Sequence, residues 1–125
     1  MDSVKDAMNL ICSECYGASA GAGWWKDFET IPEEYKKFYL TTKLCLIHSE
    51  VSEAMEGLRK GLPDDHLPDL PMFDVELADA VIRIADLAGA LDINLGEALE
   101  RKMQYNSERA DHKLENRAKE GGKAF

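Results

Sequence analysis

The sequence is short of most features that would place it outside the helical globular class. It has 4 Pro and 9 Gly in 125 residues, too few for a collagenous, low-complexity or disordered chain. Apolar and polar residues never alternate over a usable length, so strand signals are nearly missing. No apolar run reaches the roughly 20 residues of a membrane-spanning helix. No basic segment followed by an apolar stretch opens the chain, so no secretory signal is expected and the expected compartment is the cytoplasm. Cysteine is scarce: Cys12 and Cys15 form a C-x-x-C and Cys45 stands alone. A zinc site would need two further ligands near that pair, and none is evident, so the three are expected to be small apolar residues kept reduced. Positive charge is also short, with 15 Lys+Arg against 24 Asp+Glu and a formal net charge of -9. Such acidity argues against a nucleic-acid polymer or an anionic membrane as partner, since both demand a basic patch. A single nucleotide stays open, because a bound divalent cation can reverse the local sign.

What is present is helical patterning. Hydrophobic residues make up 45% and charged residues 31%, and the length suits one all-α domain spanning residues 1–125. The first helix is expected from Ser3 to Tyr16, with Val4, Met8, Ile11, Cys12 and Cys15 as its apolar stripe, and the small residues Gly17 to Gly23 ending it. Thr30 followed by Glu33 reads as a capping box, with Pro32 in the first turn, so a second helix should run from there to Lys60 and stop at Gly61. A loop rich in Pro and Asp leads to Pro71. The third helix should run from there to between Gly89 and Asp92. From Ala78 to Leu91 only Asp79, Arg83, Asp86 and Gly89 are not apolar, so this helix is expected to be buried on most sides. Few other helices exist to surround it, and burial against a second copy predicts a homo-oligomer, dimer or tetramer. Asn94 with Glu97 is a second capping box, opening a fourth helix with Leu95, Ala98, Leu99 and Met103 on its apolar side, expected to reach Arg117.

Chemistry is concentrated in carboxylates. Glu50 and Glu53 are three apart on the second helix, and Glu76 and Asp79 are three apart on the third. Residues at i and i+3 share a helix face, so each helix presents a pair, and antiparallel neighbours would bring the pairs together. Four converging carboxylates repel unless a cation joins them, and oxygen ligands suit Mg²⁺, Mn²⁺ or Ca²⁺ rather than zinc. The bland alternative is a solvated acidic face, against which Glu76 and Asp79 stand because of the apolar residues around them. Lys102, Asn106 and Arg109 lie at i, i+4 and i+7 of the fourth helix, where they could hold phosphate oxygens and a sugar hydroxyl; a solvated polar stripe is the alternative. Trp24 or Trp25 could stack on a base, or pack in a core or interface. His48 lies two residues from Glu50 and so points elsewhere; His66 and His112 have no evident partner.

Together these segments resemble the MazG-like family of all-alpha nucleoside triphosphate pyrophosphatases. The resemblance runs from Gly23-Trp24-Trp25 through Leu46-Ile47-His48-Ser49-Glu50-Val51-Ser52-Glu53-Ala54 and Val75-Glu76-Leu77-Ala78-Asp79-Ala80 to Lys102-Met103-Gln104-Tyr105-Asn106 with Arg109. It implies a four-helix MazG-like bundle, assembled as a homo-oligomer. It also implies Mg²⁺-dependent cleavage of a nucleoside triphosphate between its α and β phosphates, giving a monophosphate and pyrophosphate, as in nucleotide-pool housecleaning. Glu50, Glu53, Glu76 and Asp79 would hold the metal, with Glu50 or Glu53, or a metal-bound hydroxide, taking the proton. Lys102 and Arg109 would steady the triphosphate and Asn106 the sugar. Two departures stand out: the family's first motif often opens with adjacent glutamates where Ser49 stands here, and the basic aromatic segment after the arginine reads Ala110-Asp111-His112. Gly121-Gly122-Lys123 resembles the family's Gly-rich basic tail. A di-iron bundle is disfavoured, because no His has Glu three residues before it. A non-catalytic helical interaction module and a relative of phosphoribosyl-ATP pyrophosphatase remain as alternatives.

Overall fold

The computed structural model describes residues 3–109 and Gly121. They form four α-helices, α1 Val4–Gly21, α2 Lys36–Lys60, α3 Met72–Ala90 and α4 Leu95–Glu108, with single 3₁₀ turns at Phe28–Thr30 and Glu33–Tyr35. No strand occurs among the described residues; one isolated bridge joins Pro63 and Pro71. The all-α, four-helix expectation holds. No described helix is long and apolar enough to cross a membrane. The chain divides into two compact units, Leu10–Ile93 and Met1–Asn9 with Asn94–Phe125.

In Leu10–Ile93, α1 continues past the expected stop at Tyr16. The small residues that were expected to break it instead carry it, since alanine offsets the helical cost of Gly17, and Ala22 N still donates to Ala18 O at 3.1 Å. The chain turns at Gly23, whose φ of 89° lets Trp24 N reach Ser19 O at 3.1 Å. The capping box at Thr30 does not form. The Thr30 hydroxyl donates back to Asp27 O at 2.8 Å, and Ile31, before Pro32, is extended, as residues preceding proline tend to be. That break isolates Thr30, and α2 starts at Lys36 without a side-chain cap.

The end of α2 is as read from sequence. Gly61 at φ 65° turns the chain so that Leu62 N bonds Gly57 O at 3.1 Å, a left-handed cap that glycine adopts without strain. The loop that follows is pinned at both ends. Asp64 is buried, and its Oδ2 accepts from His66 N at 3.0 Å and Leu67 N at 2.8 Å. Met72 N donates to Leu62 O at 2.9 Å. These bonds return α3 antiparallel along α2. The two helices come close where Gly57 faces Met72: a Cβ at Gly57 would lie 2.9 Å from Met72 Cβ. At the far end of α3, a Cβ at Gly89 would lie 2.9 Å from Cys12 O on α1.

The buried apolar residues are mostly small: Cys12, Trp25, Ala54, Ala80, Ala85 and Ala88. Much of the larger apolar surface stays out, with Leu77 44%, Val81 47%, Ile82 49% and Ile84 40% exposed. The expectation that α3 is buried on most sides is therefore not met within one chain. The physical reason is supply: α1 and α2 cover only part of its circumference.

In the other unit, Asn94 caps α4 as expected, its Oδ1 accepting from Glu97 N at 3.0 Å. Asn9 braces the same turn, donating to Asn94 Oδ1 at 2.9 Å and accepting from Gly96 N at 2.8 Å. The helix ends sooner than expected. Ser107 Oγ turns back to Gln104 O at 2.7 Å, a local bond that competes with helix continuation, and Arg109 is extended. The remainder of the expected helix, residues 110–117, lies outside the described residues.

Candidate metal centre

The i,i+3 spacing on each helix and the close antiparallel approach of α2 and α3 bring three of the four carboxylates together. Glu50 of α2 and Glu76 and Asp79 of α3 each offer an oxygen within 4.8 Å of the others. All three are half-buried. Glu53, one turn on from Glu50, is exposed and is not part of this set, although its charge reaches Glu76.

The crowding shows in the proton equilibria. Glu76 is pushed up to about 7, first by the hydrogen bond it shares with Glu50, then by burial and by the charges of Glu50, Asp79 and Glu53. Glu50 moves the other way, held below the usual carboxylate range by accepting from Glu76 and by Arg83. Burial, followed by the charge of Glu50, raises Asp79. Glu76 thus keeps a proton that an isolated glutamate would release near pH 4.3 or so. One oxygen, Glu76 Oε2, is buried with no hydrogen-bond partner among the described residues. A cluster of hard oxygen donors with one left unsatisfied fits a small hard divalent cation.

Two residues at this centre escaped the sequence reading. Arg83 Nε bonds Glu50 Oε1 at 2.9 Å. The signal was present in part, since Arg83 stands four residues after Asp79 and so on its face, but its partner depends on the register of α2 against α3. Asp64 of the loop adds negative charge near Asp79.

The two tryptophans have opposite settings. Trp25 is 7% exposed, in edge contact with Tyr16 and Phe28, and its Nε1 donates to Asp86 Oδ1 at 2.8 Å. It is a core residue, placed where no base could stack on it. Trp24 is 69% exposed. Lys102, Asn106 and Arg109 belong to the unit that holds α4. Lys102 Nζ lies 4.6 Å from the Tyr105 ring centroid, Arg109 packs over the same ring at 5.6 Å, and Asn106 Oδ1 is buried without a hydrogen-bond partner among the described residues. His48 is exposed. Cys12, Cys15 and Cys45 are free thiols, and burial pushes Cys12 and Cys15 up, away from reactive thiolate character. Ala110-Asp111-His112 and Gly122-Lys123 lie outside the described residues.

Comparison with known proteins finds no matching family model, no curated relative and no similar solved structure.

Proposed function

We propose that the chain is a Mg²⁺-dependent nucleoside triphosphate pyrophosphohydrolase of MazG-like type, with Mn²⁺ as an alternative ion. The observation that carries this is the convergence of Glu50, Glu76 and Asp79 within 4.8 Å, with Glu76 Oε2 buried and without a hydrogen-bond partner among the described residues. A solvated acidic face would hold its carboxylates apart and ionised. These three instead crowd together, and the hydrogen bond to Glu50 and burial push Glu76 up to about 7, a perturbation that a positive occupant would relieve.

In this reading Glu50, Glu76 and Asp79 hold the ion. When bound, it would polarise a water and offset the negative charge of the phosphates. Binding of the ion would displace the Glu76 proton to solvent. Glu53 stays outside the ligand set, exposed and one turn from Glu50, and is the carboxylate left to accept the proton of the attacking water. Trp24, exposed in the same unit, is the indole available to stack on a base. All of these residues lie in Leu10–Ile93. The roles expected for Lys102, Asn106 and Arg109 are not needed for the metal reading.

We also propose a homodimer or homotetramer. The exposed apolar residues of α2 and α3 support it, Val51 52%, Met55 64% and Leu58 64% among them, alongside a chain interior made largely of alanine.

A panel of ribo- and deoxyribonucleoside triphosphates with Mg²⁺, assayed for released pyrophosphate, tests the activity. Pyrophosphate and a monophosphate are expected. Orthophosphate in their place would move the cleaved bond. No turnover by folded protein would favour the non-catalytic helical module.

A further inference from the structure

The proposed chemistry leaves an imbalance of charge. Three carboxylates and a triphosphate are all negative, and a single divalent ion offsets only part of that. A cation from the protein is needed beside the cluster. Among the described residues of Leu10–Ile93, most basic side chains are engaged elsewhere. Lys36 pairs with Glu33 at 3.3 Å, and Arg59 and Lys60 pair with Glu56 at 3.0 and 2.7 Å. Lys43 Nζ lies over the buried Trp25 ring, 4.6 Å from its centroid.

Arg83 is different. It stands one turn beyond Asp79 on α3, and its Nε is 2.9 Å from Glu50 Oε1. That single bond uses the inner edge of the guanidinium. Its Nη groups make no hydrogen bond among the described residues, and the side chain is 40% exposed while that of Glu50 is 14% exposed. A planar fork held by Nε and open at both Nη groups has the shape for two parallel bonds to phosphate oxygens.

We propose that Arg83 is a phosphate-binding residue of the carboxylate site, anchored through Nε on Glu50 and presenting its Nη edge to the substrate's phosphate chain. This rests on the metal-dependent reading above. It places the grip on the triphosphate on α3, beside the ligands themselves.

The test compares wild type with Arg83→Gln and Arg83→Lys, using nucleoside triphosphate turnover, binding of Mn²⁺ alone by electron paramagnetic resonance, and binding of inorganic tripolyphosphate with Mg²⁺ by calorimetry. Arg83→Gln is expected to raise KM about tenfold or more, with kcat within about threefold, and to weaken tripolyphosphate binding in parallel. Its affinity for Mn²⁺ should not fall, because the variant removes a positive neighbour from Glu50. Arg83→Lys keeps the charge but loses the fork, and should recover only part of the lost affinity. If Arg83→Gln instead weakens Mn²⁺ binding and lowers kcat at unchanged KM, the residue only positions Glu50 and the proposal is overturned. Wild-type turnover with KM unchanged in both variants overturns it too, while the metal reading stands. If wild type hydrolyses nothing yet binds tripolyphosphate in an Arg83-dependent way, the activity falls and the phosphate site survives. No turnover and no tripolyphosphate binding would remove both.

Discussion

At the scale of single residues, Glu76 carries the sharpest expectations. Its carboxyl keeps a proton up to about pH 7 in the folded chain, whereas an unfolded chain gives it up near pH 4.3 or so. Between those limits the folded state binds more protons, so metal-free stability should fall as pH rises from about 4.5 to about 7 and then level off. Glu50, held low, works in the opposite sense and only in the more acidic range, where its contribution is lost as pH falls. In the proposed reading a cation takes the place of the Glu76 proton, so Mg²⁺ should raise the melting temperature more at pH 8 than at pH 5. Thermal melts at both pH values with and without Mg²⁺ check this, and equal shifts would contradict it. Glu76→Gln removes the ionisation penalty and keeps a hydrogen-bond donor toward Glu50. It should stabilise the metal-free protein at pH 8 by something on the order of 1 kcal/mol, once solvent screening is allowed for, while abolishing both the Mg²⁺ shift and turnover. A residue with a purely structural role would lose stability on that change. Asp79→Asn should likewise end turnover with helicity intact by circular dichroism.

At the scale of elements, the contact between α2 and α3 decides whether the carboxylates meet. Gly57→Ala tests it with two opposed effects. Alanine in a helix interior gains about 1 kcal/mol over glycine. Here the added Cβ would meet Met72 Cβ at 2.9 Å and Phe73 N at 3.0 Å, atoms at the root of α3 that cannot swing aside, and overpacking of that kind costs about 1–3 kcal/mol. A net loss of stability is expected, with a smaller Mg²⁺ shift as the helices part; a more stable variant would show that the approach is slack. The carboxylate pairs were legible beforehand because i,i+3 spacing puts two side chains on one face whatever the partner helix does. Gly61 was legible because a left-handed stop has a local signature. Thr30 misled because its own hydroxyl found Asp27 O once Pro32 had stiffened the chain ahead of α2. Arg83 and Glu50 could not be paired from spacing, since their meeting depends on helix register. Nor could Trp24 and Trp25, identical neighbours in sequence, be sorted into outer and inner positions before the aromatic cluster around Tyr16, Phe28 and Tyr39 was in place.

At the scale of the whole molecule, the buried apolar positions among the described residues are mostly small side chains, while many of the branched ones are exposed. An interior of Ala54, Ala80, Ala85 and Ala88 contributes far less hydrophobic free energy than the same number of leucines would. Sedimentation velocity should therefore show a dimer or tetramer, and the unfolding midpoint should climb with protein concentration, as mass action requires for folding linked to association. A monomer with a concentration-independent midpoint would contradict the proposed assembly. The alanines also bear on how such a chain can vary over time. A methyl group is the smallest side chain that still fills space, so drift at these buried positions has almost nowhere to go: serine or glycine at one extreme, and larger residues that would overpack the helices at the other. Outward residues such as Val51, Met55 and Ile82 carry no such restriction and can change freely, provided whatever they press against changes with them.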